Sequence, residues 1–130
     1  AKPQPELGTF DRILLDTPCS ASGVIRRHPD IKLLRRPEDL APLIETQRQL
    51  LTQCWSLLRP GGSLLYVTCS IFSDENEDNL VWFLANHRDV ETLALPAVGG
   101  PRSIGVQLLP TKGVHDGFYY AHVRKMSPGL

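Results

Sequence analysis

Two of the three cysteines lie in short polar motifs, and each motif follows an apolar run. Cys19 stands in the motif at 16–23, Asp-Thr-Pro-Cys-Ser-Ala-Ser-Gly, and Cys69 stands in Thr-Cys-Ser at 68–70. A thiol becomes a nucleophile where its pKa is lowered or a base lies beside it. A single cysteine is more often a small buried apolar residue. Two cysteines in paired motifs favour a catalytic pair.

The third cysteine, Cys54, belongs to a different pattern. It recurs with Leu50, Leu51 and Leu58 at helical spacing, so we expect it to pack in the core. The three cysteines include no close pair, which is typical neither of a disulfide framework nor of a zinc site. The four histidines show no metal-ligand spacing either. We therefore expect reduced thiols and no metal.

Positive charge is concentrated between the two cysteine motifs. The segment 24–36 holds five basic residues, beginning with Arg26 and Arg27, against one acid. One face presenting this charge could contact several phosphates, and the alternative is a solvated loop and helix start. Because 14 basic and 14 acidic residues balance over the whole chain, only this local cluster supports a polyanionic partner.

The segments that would position the motifs alternate between strand and helix patterns. The apolar run at 10–15 predicts a buried strand, the periodicity over 37–58 predicts a helix that the Arg-Pro-Gly-Gly at 59–62 ends, and 63–68 predicts a second strand. Pro42 is a candidate break near the start of this helix. Strands that alternate with helices are typical of a parallel sheet, whose functional residues gather at the carboxyl ends of its strands.

The second half of the chain continues this alternation. Ser73 or Asp74 is expected to cap a helix that runs to about His87, with Asp74 and Glu77 spaced as a capping box and the acidic cluster at 74–78 stabilising the helix start. Further strands are predicted at 90–95 and 118–124, an extended segment at 106–109 and a loop at 99–101.

Composition limits the remaining possibilities. With 130 residues and 42% hydrophobic content, one domain with a real core is expected. No apolar run approaches the ~20 residues that cross a bilayer, and no charged-then-apolar leader opens the chain. We expect a soluble, cytoplasmic protein that does not associate with membranes.

The two cysteine motifs resemble motifs IV and VI of the RNA cytosine-5 methyltransferases. Other segments look like the same family: Gly-Gly-Ser-Leu-Leu-Tyr at 61–66, Glu-Asn-Glu at 75–77 and Asp-Gly-Phe-Tyr-Tyr-Ala at 116–121. The segment 23–32 is similar to the bacterial branch that modifies small-subunit ribosomal RNA, the Sun/Fmu type. The resemblance covers 10–125, nearly the whole chain.

This resemblance implies an α/β fold, the carboxyl-terminal half of a Rossmann-like S-adenosylmethionine-dependent methyltransferase. Its sheet would be mostly parallel, with a late antiparallel strand. Residues 10–125 would form the carboxyl-terminal part of the catalytic domain, 1–9 a linker or truncated upstream segment, and 126–130 a tail.

The resemblance also implies a role for each site residue. Cys69 would attack the target cytosine at C6, and Cys19 would help release the product. Asp16 would hold the base at its N3 edge and contact the cofactor, S-adenosylmethionine. The expected substrate-binding residues are Pro18, Ser20, Arg26 and Arg27. The RNA is expected to be 16S ribosomal RNA. Position alone permits either thiol as the nucleophile, and only the resemblance selects Cys69.

The sequence departs from the family in its glycines. Neither Gly61-Gly62 nor Gly99-Gly100 forms the G-x-G-x-x-G pattern of a cofactor loop, and Thr17 stands where the family usually has Ala. Most of the cofactor pocket is therefore expected upstream of residue 1, with the isolated chain inactive and its first strand open to self-association. Two alternatives stay open, a noncatalytic RNA-binding or assembly module and, less favoured, a thiol hydrolase.

Overall fold

The computed structural model describes residues 10–19, 40–70, 72–93, 100–101, 104–108 and 117–126. In chain order the elements are β1 (Phe10–Asp16), α1 (Leu40–Leu57), β2 (Leu58–Thr68), a 3-10 turn (Ser73–Glu75), α2 (Glu77–Asn86), β3 (Val90–Leu93), β4 (Gly100–Pro101), β5 (Val106–Leu108) and β6 (Phe118–Lys125). Within these residues, no helix is long and apolar enough to cross a membrane.

The strands form one mixed sheet in the order β1-β2-β6-β5-β4, with β3 also paired to β6. β1 and β2 pair in parallel, whereas β6 pairs antiparallel with β2, β3 and β5. Because β2 and β3 both oppose β6, β1, β2 and β3 all run in the same direction. The expected fold class, a mostly parallel sheet with a late antiparallel strand, is confirmed.

Both helices pack on one face of the sheet. Buried residues of both helices join those of β2 in a single core cluster, as is expected when two successive crossovers follow the right-handed rule in the same direction. Between α1 and α2, the Trp55 and Phe83 rings meet edge to face with centroids 5.1 Å apart. The buried face of β2 contributes alternate residues, among them Leu64 and Tyr66, as the two-residue period of a strand requires.

The second strand follows the first helix directly, so residues 59–62, which were predicted to end the helix, belong to β2. α1 begins at Leu40 and contains Pro42 in its first turn, where the missing N–H has no intrahelical partner to lose, so the helix is not split. β2 begins at Leu58, which is fully buried and lies opposite Phe10. Gly61 has a φ of 87°, a left-handed conformation that suits the register shift there.

The predicted capping box is wrong. α2 begins at Glu77 with Asn76 at the N-cap position, and no side chain caps the helix. Instead, the Asn76 amide donates to the Ser70 carbonyl at 2.8 Å and to Gln107 Oε1 at 2.8 Å. Glu77 and Asp78 do lie in the first turn of α2, where negative charge stabilises the helix dipole.

The late segments also differ in detail from the sequence predictions. The loop expected at 99–101 includes a two-residue strand, since Gly100–Pro101 pairs antiparallel with Val106–Gln107. β3 ends at Leu93 and β5 at Leu108, and residues 94–95 and 109 lie outside the described part of the chain. β6 continues one residue beyond the predicted end, to Lys125.

Candidate active site

The loops that follow β1 and β2 lie side by side at one edge of the sheet. Asp16 is opposite Val67 in the parallel ladder, and the Thr17 N–H donates to the Val67 carbonyl at 3.1 Å. β1 ends at Asp16 and β2 ends at Thr68, so Cys19 and Cys69 both follow within three residues of a strand end. As a result, the Sγ atoms of Cys19 and Cys69 lie 3.1 Å apart, joined by a thiol–thiol hydrogen bond.

This contact makes Cys69 unusually acidic for a half-buried thiol. The hydrogen bond with Cys19 is the largest effect, and together with a backbone hydrogen bond it lowers the pKa of Cys69 from 9.0 to about 7. Burial and the negative charges of Asp16 and Glu75 act in the opposite direction. Because the hydrogen bond outweighs these effects, a substantial fraction of Cys69 is thiolate, the nucleophilic form, near neutral pH.

Two other predicted site residues border the thiols. Asp16 is exposed at the carboxyl end of β1, close enough for its charge to affect Cys69. The exposed Pro18 turns its carbonyl toward α1, where it accepts a hydrogen bond from Gln47 Nε2 at 2.9 Å. The predicted contacts Ser20, Arg26 and Arg27 lie outside the described residues.

A buried polar cluster beneath the thiols was not foreseen from the sequence. Gln47 Nε2 donates to Glu75 Oε1 at 3.1 Å, and Asn79 Nδ2 donates to Gln47 Oε1 at 2.8 Å. The second oxygen of Glu75 accepts a short hydrogen bond from the Ser70 hydroxyl. Gln47, Glu75, Asn79 and Ser70 are all fully buried. One feature of the sequence could have indicated this cluster: Gln47 lies on the apolar stripe of α1, three to four residues from its neighbours in the stripe.

A second set of contacts fixes the turn after Cys69. The Ser70 carbonyl accepts from Asn76 Nδ2 at 2.8 Å and from Gln107 Nε2 at 3.1 Å. The Thr68 hydroxyl donates to Asn76 Oδ1 at 2.5 Å. Gln107 belongs to β5, so a strand far along the chain helps to hold the backbone beside Cys69. Hydrogen bonds therefore hold both residues that flank Cys69, Thr68 and Ser70.

Two neighbouring residues with hydroxyl groups, Tyr66 and Thr17, are buried close to Cys19. The Tyr66 hydroxyl donates to the Glu75 carbonyl at 2.6 Å, and burial raises the pKa of this phenol well above its usual range. Within the described residues the buried Thr17 hydroxyl has no hydrogen-bond partner of normal geometry, although it lies close enough to Tyr66 to lower the pKa of the phenol slightly. A buried hydroxyl without a partner is a local cost in stability.

The third cysteine packs as predicted. Cys54 lies against the core on α1, and burial raises its pKa, which makes it less reactive than Cys69. None of the three cysteines forms a disulfide. In the described segments, no group of three or more His, Cys, Asp or Glu side chains could hold a metal ion.

The geometry suits covalent catalysis more than metal or dinucleotide chemistry. A thiol with a pKa of about 7 lies beside a second thiol, at an edge also occupied by an exposed carboxylate. The Gly61-Gly62 pair lies near the start of β2, at the end of the strand remote from the cysteines. Asp16 lies at the carboxyl end of β1, the edge at which open α/β sheets bind their ligands.

Comparison with known proteins finds similar methyltransferases. The chain is 51% identical to ribosomal RNA small subunit methyltransferase B of Pasteurella multocida over 90% of its length, and it spans 26% of that protein. A methyltransferase homologue from Pyrococcus horikoshii is 35% identical with a TM-score of 0.76, covering 90% of this chain and 39% of its own. NSun6 from Pyrococcus horikoshii, solved with SFG, is 28% identical with a TM-score of 0.75, covering 88% and 29%.

The chain thus spans about a quarter of the length of the curated relatives it matches. The family profile described as 16S rRNA methyltransferase RsmB/F matches residues 1–124, almost the entire chain. This chain belongs to the 16S rRNA methyltransferase RsmB/F family.

Proposed function

We propose that this chain carries the reacting thiols of an enzyme that methylates cytosine C5 in RNA, through a covalent bond between Cys69 and C6 of the base. The observation that carries the proposal is the thiol pair. Cys69 and Cys19 touch at 3.1 Å, and this contact is the largest of the effects that lower the pKa of Cys69 to about 7. A nucleophile with a pKa near the working pH combines a useful thiolate fraction with adequate nucleophilicity.

Cytosine C5 is a poor nucleophile, and addition of a thiolate at C6 overcomes this difficulty. The Cys69 thiolate forms an S–C6 bond, and the electrons of the C5–C6 double bond move toward C5. C5 would take the methyl group from the sulfonium sulfur of the donor, which would leave as a neutral thioether, and a base would then remove the C5 proton. The electrons of the C5–H bond then restore the double bond, and the S–C6 bond breaks to release Cys69 as thiolate.

The neighbouring groups are suited to the other steps. Cys19 lies within hydrogen-bond distance of Cys69, and we propose that it assists product release during or after removal of the C5 proton. The exposed Asp16 carboxyl is available to the N3 edge of the base. The Pro18 carbonyl already accepts from Gln47, but a carbonyl has two lone pairs, so it can still accept from the exocyclic amine.

The methyl donor and the RNA are proposed from the relatives. S-adenosylmethionine would supply the methyl group, and one solved relative was crystallised with SFG, an analogue of this cofactor. The proposed substrate is 16S ribosomal RNA, which the family description names, and the proposed location is the cytoplasm. Asp16 is the residue of this chain that we expect to contact the cofactor.

The 130 residues alone are proposed to be inactive, because the glycine-rich cofactor pattern is not in the sequence. Activity is therefore assigned to a protein of the relatives' length that contains this chain. The thiol hydrolase alternative is not favoured, because among the described residues Cys69 has a second thiol and no histidine as its hydrogen-bond partner. A noncatalytic RNA-binding module would leave the lowered pKa of Cys69 without a use.

Covalent trapping tests the proposal in the full-length protein. RNA that contains 5-azacytosine should form a stable adduct with the wild type, because position 5 of this base is a nitrogen that has no proton to lose once it is methylated, so the S–C6 bond cannot break by elimination. Cys69→Ala should abolish both methylation and trapping. Cys19→Ala should still attack, so an adduct with ordinary RNA should accumulate.

The third cysteine provides the matched control for this experiment. Cys54 packs against the core, away from the thiol pair, so Cys54→Ala should trap RNA as the wild type does. An adduct that survives Cys69→Ala while Cys19→Ala forms none would mean that the two roles are exchanged. Absence of trapping in the wild type, together with tight RNA binding, would support the noncatalytic module.

The RNA contacts proposed outside the described residues need a separate experiment. Charge reversal at Arg26 and Arg27 should weaken RNA binding and flatten its salt dependence, because each phosphate contact releases counterions, with a slope change of about 0.7–0.9 per contact. Filter binding at several salt concentrations measures this slope. An unchanged slope would assign these arginines to solvent.

A further inference from the structure

Gln47 is a neutral amide in an otherwise apolar position. It is fully buried in α1, one turn before Leu51 and two turns before Trp55, both of which pack in the core. Burying an amide is unfavourable unless its donors and acceptor are all paired. A leucine here would suit the helix equally well, so the interactions of the amide must explain its presence.

Both amide hydrogens of Gln47 are directed at the two segments that carry the thiols. One is donated to the carbonyl of Pro18, the residue before Cys19, at 2.9 Å. The other is donated to Glu75 Oε1 at 3.1 Å, and Glu75 in turn accepts from the hydroxyl of Ser70, the residue after Cys69. Gln47 therefore links the two loops through a continuous path of hydrogen bonds.

This link begins where the sheet ceases to hold the loops together. The last described hydrogen bond of the β1–β2 ladder joins the Thr17 N–H to the Val67 carbonyl. Both strands end at this point, and the thiols in the segments that follow them are in contact at 3.1 Å. The amide oxygen of Gln47 accepts from Asn79 at 2.8 Å, which fixes the orientation of the amide and so directs both of its N–H groups.

We infer that Gln47 is a positioning residue for the reaction proposed above, which holds the Cys19 loop against the Cys69 turn and so sets the separation of the two thiols. It touches neither thiol in the described contacts and acts through Pro18 and Glu75. Without the amide, the Pro18 carbonyl and the Glu75 carboxylate each lose a donor, and the two loops can separate.

The inference is tested by the acidity of Cys69 in Gln47→Met, which keeps the length and bulk of the side chain and removes the amide. The midpoint of the pH profile for alkylation of Cys69 by iodoacetamide, followed by peptide mass spectrometry, should rise by about one pH unit as the thiol–thiol contact loosens. The maximal rate of alkylation should not fall, because the thiol becomes no less accessible.

Two control variants separate positioning from general stability. Gln49→Met changes the same residue type at an exposed position of α1. Leu51→Ala truncates a fully buried neighbour whose side chain has no hydrogen-bonding group and so plays no part in the link between the loops. Both should keep the wild-type midpoint, although Leu51→Ala unfolds at a lower urea concentration. If Gln47→Met does not fold, Gln47→Asn replaces it, since its shorter amide cannot reach both partners, and the same rise is expected.

The result that overturns the inference is a folded Gln47 variant with the wild-type midpoint, or an equal rise in Leu51→Ala. Alkylation requires neither RNA nor cofactor, so this experiment is independent of the proposed function. A raised midpoint in a protein whose full-length form shows no trapping of 5-azacytosine RNA would refute the function and leave the role of Gln47 standing.

Discussion

The thiol pair allows a direct calculation of what Cys19 contributes to Cys69. The hydrogen bond between them is the largest of the effects that lower the pKa of Cys69 from 9.0 to about 7. Cys19→Ala removes this bond and leaves a backbone hydrogen bond, which lowers the pKa, opposed by burial, Asp16 and Glu75, which raise it, and burial alone outweighs the backbone hydrogen bond. We expect the pKa of Cys69 in this variant to return to 9.0 or above.

The rate of alkylation follows from these two pKa values. At pH 7 the thiolate fraction of Cys69 should fall from about one half to about 1%, a loss of ~50-fold. The more basic thiolate is intrinsically more reactive, and a Brønsted slope of about 0.4–0.5 over two pKa units restores ~6- to 10-fold. The net rate at pH 7 should therefore fall about 5- to 8-fold, whereas above pH 10 the variant should react faster than the wild type.

Crossing pH profiles distinguish this effect from a simple loss of access. Rates of iodoacetamide labelling at Cys69 from pH 6 to 10.5, resolved by peptide mass spectrometry, provide the profiles. Cys54, whose pKa is raised by burial, serves as an internal control with unchanged rates. If Cys69 in Cys19→Ala keeps a midpoint near 7, or reacts more slowly at every pH, the hydrogen bond is not the cause of its acidity.

Further predictions concern stability, association and binding. Between pH 7 and 9, the unfolding free energy of the wild type should rise by about 1 kcal/mol relative to that of Cys69→Ala, because the half-buried thiol ionises more readily when folded. If urea unfolding shows a difference between the two proteins that does not change with pH, this prediction is wrong. Thr17→Val should stabilise by about 1 kcal/mol by removing a buried hydroxyl that lacks a normal partner, and a lower urea midpoint would refute it. Leu14 is 67% exposed on β1, whose partner among the described strands is β2, so Leu14→Lys should weaken self-association roughly tenfold in sedimentation; a strictly monomeric wild type would disprove the idea. Calorimetry should detect no micromolar binding of S-adenosylmethionine by the 130 residues. Such binding would refute the expectation that most of the cofactor pocket lies outside them.

Local sequence patterns were sufficient for the elements and for the meeting of the thiols. The apolar runs at 10–15 and 118–124 match β1 and β6, and helical periodicity matches α1. Because β1 and β2 pair in parallel, their carboxyl ends meet at one edge, and the motifs that follow them bring Cys19 and Cys69 into contact. Each of these inferences depends only on neighbours in sequence or on one rule of sheet geometry.

Features that depend on long-range partners could not be predicted in this way. Asn76 has the residue type and position of a helix cap, but its amide is occupied by Ser70 and Gln107. Glu75 belongs to the acidic cluster at 74–78, whose other acidic members lie near the start of α2. Glu75 is the buried member, and it is hydrogen-bonded to Gln47 and Ser70. The pairing of β6 with both β2 and β3 is likewise a tertiary contact that no local period encodes.

The central position of β6 has a consequence for the order in which the nascent chain can fold. β3 is hydrogen-bonded to β6, and within the described sheet it has no other strand partner. During synthesis, β1, α1 and β2 emerge first and can associate, whereas β3 must wait for a strand that begins at Phe118, 25 residues after β3 ends at Leu93. At about 5–20 residues per second, translation leaves this half of the sheet open for a few seconds, with the edge of β2 that pairs with β6 still without a partner. Chaperone binding to ribosome-bound chains should therefore peak in that interval and decline once β6 has left the exit tunnel.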